Sequence, residues 1–386
     1  MVELGREVDE CDLIICRDTL LDSSKPQIRV PQAEHDGNLH PKDCGGGVIE
    51  LPIDLVSRCS ERFDAVMNPE VALMYKLATR MPFSYRVIPS SIRNRLLRTN
   101  DIDMNLLDHL AIETARRIIA EAFNALGFRL QRKNPPSLLI THDIETQKGL
   151  GKALRFKEIE DDLGVQSTWF LSPGEYSISR SLAKDLGSSS TIGSHDLKHD
   201  GRLISIRNHG RLVERLVESK KKLEDLFESN VTCFRSPLLQ FGRSIISALC
   251  EAGYEFDYSL PCWEPVYPLT MTGFGIESVQ QFAIHGIIET PLTLFQDHQI
   301  FNVLGMSIYE GIRLWLDQAK LVRSLDGNIV LLIHPDYAFS RNLPAYRQLL
   351  IALLELHVNF DSRLIRLGPH EVEKRTCLSH TTRIES

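Results

Sequence analysis

The chain has 386 residues, 43% of them hydrophobic and 25% charged, with a formal net charge of −7. That length accommodates one large domain and a smaller one, and the composition is that of an ordinary globular protein. The acidic balance, without a dense basic cluster, argues against a general nucleic-acid or anionic-membrane binder.

The N-terminal stretch "MVELGREVDECDLIIC" mixes acidic and basic residues and lacks the basic start and apolar core of a signal peptide. No uncharged apolar run reaches the length of a membrane span, so the expected location is cytoplasmic. Eight cysteines, at 11, 16, 44, 59, 233, 250, 262 and 377, include no C-x-x-C pair. Free thiols are expected rather than a disulfide framework or a zinc knuckle.

Residues 1–135 predict a smaller α+β region. "DLIIC" and "GGGVIELPIDL" suggest one or two strands, and "NLLDHLAIETARRIIAEAFNALG" is a strong amphipathic helix. The stretch "SSKPQIRVPQAEHDGNLHPKDCGGG" is rich in Pro, Gly and polar residues and reads as loop. A boundary near 134–136 separates this region from a second domain over 136–386.

In that second domain short apolar or β-branched runs recur: "SLLIT" (137–141), "VQSTWFL" (165–171), "TIGS" (191–194), "VTCFRS" (231–236), "YEFDYS" (254–259), "GIIETPL" (286–292) and "NIVLLIH" (328–334). Helical patterns separate most of them. In "GRLVERLVESKKKLEDLFESN", Leu212, Leu216, Leu223 and Phe227 fall at helical spacing. "RSIISALCEAG" is a shorter helix closed by Gly253, and "PAYRQLLIALLELH" one opened by Pro344. Seven strands alternating with helices predict parallel β/α construction, a barrel or a doubly wound sheet. Either gathers its chemistry at the C-terminal ends of the strands.

Those ends read "THDIET", "SHDLKHDG", "FRSP", "DYSLPCWEP", "ETPLTLFQDH" and "IHPDY". In an extended chain alternate residues share a face, so Asp143 and Glu145 point one way while His142 and Ile144 point the other. The plainer reading of the two acids is a cap for the following helix. His195 and His199 stand four apart, the spacing that sets two imidazoles on one side of a helical turn. With Glu145 they make two His and one carboxylate, a ligand set of catalytic zinc and related divalent ions. Arg235 carries a fixed charge suited to holding Asp143 ionised. His334 ends the last apolar run and is placed to give a proton to a leaving group. Trp263 either offers an apolar wall for a sugar or acyl group or packs the core, and Asp297 and His298 are candidates to orient metal ligands. His142, Pro237, Trp263, Asp297 and Tyr337 complete the residues expected to contact substrate.

The ordered set D-x-E, H-x-x-x-H, R-x-P and L-x-H resembles the motif series of the polysaccharide-deacetylase superfamily, the NodB-homology domain. It is most similar to a branch with a "THDVE"-type first motif, "HDG" after the second His, "FRSP" and a closing "HPDY". The resemblance covers roughly residues 136–340. It implies a distorted (β/α)7 barrel and metal-dependent hydrolysis of an acyl or amide bond, usually removal of N-acetyl from an amino sugar. Carried over by motif, Asp143 would be the base tethered by Arg235. Glu145, His195 and His199 would hold a divalent metal such as zinc, and His334 would be the general acid. The commonest first motif has two adjacent Asp; here Ile144 fills the adjacent position and Glu145 lies one further on.

The expected substrate is a carbohydrate or a small amide, with no nucleic acid involved. Two alternatives stand beside deacetylation: a ring-opening amidohydrolase acting on a small cyclic amide, and a non-catalytic carbohydrate-binding barrel.

Overall fold

A computed structural model of the chain describes residues 14–17, 26–30, 41–51, 55–69, 110–127, 136–264 and 275–358. Those up to 64, with 110–127, form one compact unit; 65–69 with those from 136 onward form another. Among the described residues no helix is long and apolar enough to cross a membrane.

The first unit contains a four-stranded sheet: β1 (Ile14–Arg17), β2 (Gln27–Val30), β3 (Lys42–Gly45) and β4 (Val48–Glu50), ordered β1-β2-β4-β3. β1, β2 and β4 run parallel, and β3 returns antiparallel on β4. The turn between β3 and β4 is "GGG", and Gly45, Gly46 and Gly47 all take positive φ, which side chains resist. Ile28, Val30, Ile49 and Leu51 bury one face of the sheet. Against them lie Leu55, at the start of α1 (Leu55–Met67), and Ala115, Ile118 and Ala122 of α2 (Ala111–Ala125). Here the structure corrects the sequence reading, because 23–47 was expected to be loop and contains β2 and β3. β2 pairs with β1 on one side and β4 on the other, so its backbone bonds come from strands remote from its polar flanks.

The second unit is built on eight strands: β5 (Leu138–Ile144), β6 (Ser167–Leu171), β7 (Thr191–Ser194), β8 (Cys233–Phe234), β9 (Phe256–Asp257), β10 (Phe282–Ile284), β11 (Ile287–Glu289) and β12 (Ile329–Ile333). Their order is β10-β11-β9-β8-β7-β6-β5-β12. Seven are parallel, and β10, which the sequence did not suggest, is antiparallel on β11. The segment after β11 reaches β12. Thr293 Oγ1 donates to Asn328 O at 2.8 Å and accepts from Val330 N at 2.8 Å, and Leu294 N donates to Val330 O at 3.2 Å. The sheet thus curls into the expected distorted (β/α)7 barrel.

Helices connect the parallel strands and follow the last: α3 (Gln147–Leu150), α4 (Ala153–Leu163), α5 (Arg180–Gly187), α6 (His209–Phe227), α7 (Arg243–Glu251), α8 (Ile308–Ser324) and, after β12, α9 (Leu343–Val358). Their starts follow local chemistry. Thr146, Ser179 and Asn208 accept from the first free amides of α3, α5 and α6, and Ser307 with Glu310 forms a capping box on α8. Leu212, Leu216 and Leu223 of α6 are buried as their spacing predicts, while Phe227 is half-buried.

The barrel interior is filled by Leu139, Phe170, Cys233, Leu239, Phe256, Tyr258, Ile288, Leu292, Val330 and Leu332. Gly193 lies so close to the Phe170 ring that any side chain there would collide with it. These interior residues fix which register of each strand faces inward.

Candidate active site

Counting by twos from the interior residues reaches the rim. Leu139 leads to Thr141, Asp143 and Glu145; Gly193 to His195; Cys233 to Arg235; Val330 and Leu332 to His334. Backbone bonds extend the ladder just past the strands, His195 N to Leu171 O at 2.8 Å and Arg235 N to Ser194 O at 2.9 Å. These side chains therefore keep strand geometry where the sheet ends.

Asp143 is the meeting point. Arg235, fully buried, donates from Nη1 to Asp143 Oδ1 at 3.0 Å and to Thr141 Oγ1 at 2.9 Å, and from Nε to Tyr258 O at 3.0 Å. Its guanidinium lies over the Phe170 ring, 4.5 Å from the centroid. Oδ2 of Asp143 faces His195 Nε2 at 3.8 Å and His334 Nε2 at 4.0 Å. Burial pushes the Asp143 carboxyl up. The charges of Arg235 and His334, with the Arg235 hydrogen bond, outweigh it and hold the group below its ordinary range.

His334 is set by Asp297. Its backbone N donates to Asp297 Oδ2 at 2.8 Å, and its Nδ1 donates to Asp297 Oδ1 at 2.5 Å. Burial alone would lower this imidazole, but the Asp297 charge and hydrogen bond, helped by Glu145 and Asp143, raise its pKa to about 10. Asp297 immediately precedes a π-helical turn, His298–Val303, whose first amide it also accepts at 2.7 Å.

Glu145 reaches the cluster from the loop after β5. Its Oε1 lies 3.3 Å from His199 Nε2 and 3.8 Å from His334 Nε2, and Tyr337 Oη donates to its Oε2 at 2.7 Å. Its backbone N donates to Asp336 at 3.3 Å, and Thr146 Oγ1 donates to the same carboxylate. The helix cap is Thr146, so neither Asp143 nor Glu145 is a capping residue.

As they stand, no three His, Cys, Asp or Glu side chains among the described residues enclose a metal ion. The donor chemistry nevertheless fits one. His195 Nδ1 must donate to the Arg235 carbonyl at 2.8 Å, which leaves the lone pair on Nε2. That Nε2 is buried without a hydrogen-bond partner. Burial, outweighing the Asp143 charge, lowers this imidazole to about 4 and keeps it neutral. The 3.3 Å between Glu145 and His199 matches two donors of a tetrahedral ion, which bonds of about 2.0–2.1 Å set about 3.3–3.4 Å apart. The two imidazole rings are 5.1 Å apart, centroid to centroid.

Two expected substrate contacts need correction. His142 is fully buried on the outward face of β5, stacked on Trp169 at 4.0 Å, with Nδ1 on Ile333 O at 3.1 Å and Nε2 on Glu160 at 2.6 Å. The alternation that turns Asp143 inward turns its neighbour out. Asp297 is fully buried, and both its oxygens are used on His334 and the His298 amide. It acts on the site through His334. Tyr337 stands in the cluster, its ring 5.2 Å from that of His334. Trp263 is buried beyond β9, and Pro237 opens the short turn that follows Arg235. The sequence reading left Asp336 without a role, although "HPDY" contains it.

No family model matches the sequence, and no curated protein matches it. Among solved structures, one from Mycobacterium smegmatis assigned to the polysaccharide deacetylases superposes with a TM-score of 0.53 at 16% identity, over 67% of this chain and 96% of its own. A carbohydrate esterase family 4 pseudoenzyme from Bacillus anthracis aligns at 0.40, with 13% identity over 58% of this chain and 63% of its own. The chitin deacetylase of Colletotrichum lindemuthianum aligns at 0.39, with 13% identity over 58% and 84%. The fold is the polysaccharide-deacetylase type of barrel, as the motif resemblance implied.

Proposed function

We propose that the chain is a metal-dependent hydrolase of C–N amide bonds that removes N-acetyl from an amino-sugar-containing glycan or glycan precursor. The observation that carries this reading is a buried carboxylate and a buried imidazole set side by side, each with its own partner, Asp143 on Arg235 and His334 on Asp297. Asp143 is held ionised, while His334, 4.0 Å away, is held protonated. Neighbouring groups whose environments push their pKa values apart are a base and an acid. The choice of an acetylated amino sugar rests on the motif resemblance and is supported by the M. smegmatis fold neighbour.

Glu145, His195 and His199 would hold the divalent ion. When bound, it would lower the pKa of a coordinated water and polarise the substrate carbonyl. Asp143 takes the proton of the attacking water, and Arg235 keeps it ionised and fixes its oxygens. His334 gives its Nε2 proton to the departing nitrogen, with Asp297 holding the ring on its other nitrogen. His195 stays neutral throughout, as a ligand must.

The test joins metal content to turnover. Wild type is expected to carry about one equivalent of a divalent ion and to release acetate from N-acetylglucosamine oligosaccharides. Glu145→Ala and His195→Ala should lose ion and activity together, and Asp143→Asn should keep the ion and lose activity. Wild type that takes up no ion after reconstitution would sink the reading. An ion without acetate release, but with cyclic-amide hydrolysis, would move the substrate class.

A further inference from the structure

His195 continues β7, whereas His199 lies four residues on, past the end of the strand. A single side chain from another element grips the segment between and beyond them. Arg215, on the second turn of α6, donates from Nε to both oxygens of Asp196, at 2.8 and 3.1 Å, and from Nη2 to Asp196 Oδ2 at 2.5 Å. Its Nη1 and Nη2 reach Asp200 at 3.1 and 2.8 Å, and Nη2 also reaches the Lys198 carbonyl at 2.9 Å. One guanidinium thus reads positions 196, 198 and 200, which follow His195 and bracket His199.

The grip runs from the interior at Asp196 to the half-buried Arg215 and Asp200. Asp196 is fully buried and sits at φ +62°, a conformation that a non-glycine residue keeps only where its surroundings impose it. Gly174 N donates to Leu197 O at 2.8 Å, and Gln240 Nε2 donates to Gly201 O at 2.5 Å, which fixes the loop at two further points. Bridging two carboxylates and a carbonyl needs the planar fork of Arg. The point charge of Lys cannot reproduce it.

We propose that Arg215 is a positioning residue for the divalent-metal site, holding the 196–200 loop so that His195 and His199 stand in place before an ion arrives. This rests on the metal-dependent reading above. It deepens that reading by assigning part of the ion's affinity to a helix residue that touches neither the ion nor substrate. A purely structural ion pair would add stability and leave affinity unchanged.

The experiment is Co2+ titration of the metal-stripped full chain, reading the dissociation constant by calorimetry, the visible band of the bound ion, and the thermal midpoint of the metal-free chain. Arg215→Met and Arg215→Lys should both bind Co2+ about 10–100-fold more weakly with an altered band, and Lys should not rescue. Wild-type affinity and band in Arg215→Met would overturn the role of Arg215, even with a lowered thermal midpoint. Should both Arg215 variants fail to fold, Asp200→Ala decides, because the side chain is 24% exposed and its loss removes one arm of the grip. A weaker Co2+ complex in that variant supports the proposal, and an unchanged one overturns it. Wild type that binds no Co2+ would overturn the metal reading itself, which separates the two failures.

Discussion

Two buried histidine–carboxylate pairs sit on adjacent strands, one on each face of the barrel wall. His142 on β5 pairs with Glu160 at 2.6 Å, and His334 at the end of β12 pairs with Asp297 at 2.5 Å. They use the same chemistry at the same length, and both are buried. The difference lies in the second nitrogen. That of His142 meets the Ile333 carbonyl, and Glu160 is further engaged by Tyr346 and by Ser167 at 2.6 Å. That of His334 faces Asp143 and Glu145 at 4.0 and 3.8 Å, beyond hydrogen-bond reach. A closed pair can hold a wall together; only an open one can pass a proton to a third group.

The largest effect should come from the open pair. His334→Ala is expected to lower kcat per folded molecule by about 10²–10⁴-fold, the usual worth of a general acid, and also to lower stability because it leaves the buried Asp297 without its partner. A variant with undiminished kcat would return His334 to the structural class.

Glu160→Ala should lower stability alone. Removing one partner of a buried pair costs about 3–5 kcal/mol of stability, read by denaturant unfolding, while activity per folded molecule is retained. Loss of activity in a fully folded Glu160→Ala protein would show that the wall and the rim are one site.

The distinction was only partly legible in the sequence. The rim was readable because Asp143, His195, Arg235 and His334 each end an apolar run, and alternation carries them inward. The same alternation puts His142 on the other side, yet its place inside "THDIE" drew it into the expected substrate set. Asp297 was assigned to metal ligands and to substrate rather than to His334, because its partner lies 37 residues away and the intervening chain gives no sign that it returns beside β12. Arg215 was invisible, since a charged residue on a helix reads as solvated face. The runs at 231–236 and 254–259 became strands of two residues, because apolar runs report burial and only part of a buried run finds a ladder. β2 was hidden for the opposite reason, its partners being remote while its flanks are polar.

The pairs should also respond differently to pH. Asp297 is the main cause that raises His334 to about 10, so the wild-type alkaline limb of kcat/KM should lie high. Asp297→Asn should move that limb acidward by about one unit or more. An unmoved limb would mean that another group sets it. For Glu160, burial raises the carboxyl, but the His142 charge and hydrogen bonds from His142, Ser167 and Tyr346 hold it below its ordinary value of 4.5. Its folded-state pKa is therefore depressed. The stability it contributes is present above the ordinary carboxylate pKa and lost as pH falls through the folded value. Acid unfolding of wild type against Glu160→Gln, followed by circular dichroism, should show the two curves converging below that range.

The smallest effect tests whether the openness of His334 extends to its neighbour. Tyr337 donates to Glu145 Oε2, which leaves Oε1 toward His199 and His334. A hydrogen bond to a charged group is worth about 1.5–3 kcal/mol. Tyr337→Phe should therefore weaken divalent-ion affinity by about tenfold or somewhat more, with KM little changed at saturating ion. The residue was expected to touch substrate, and that role makes the opposite forecast: KM rises while ion affinity stays. Measuring both constants on one variant decides whether Tyr337 belongs to Glu145, completing on the rim the kind of closure that Tyr346 supplies to Glu160 in the wall, or to whatever enters the site.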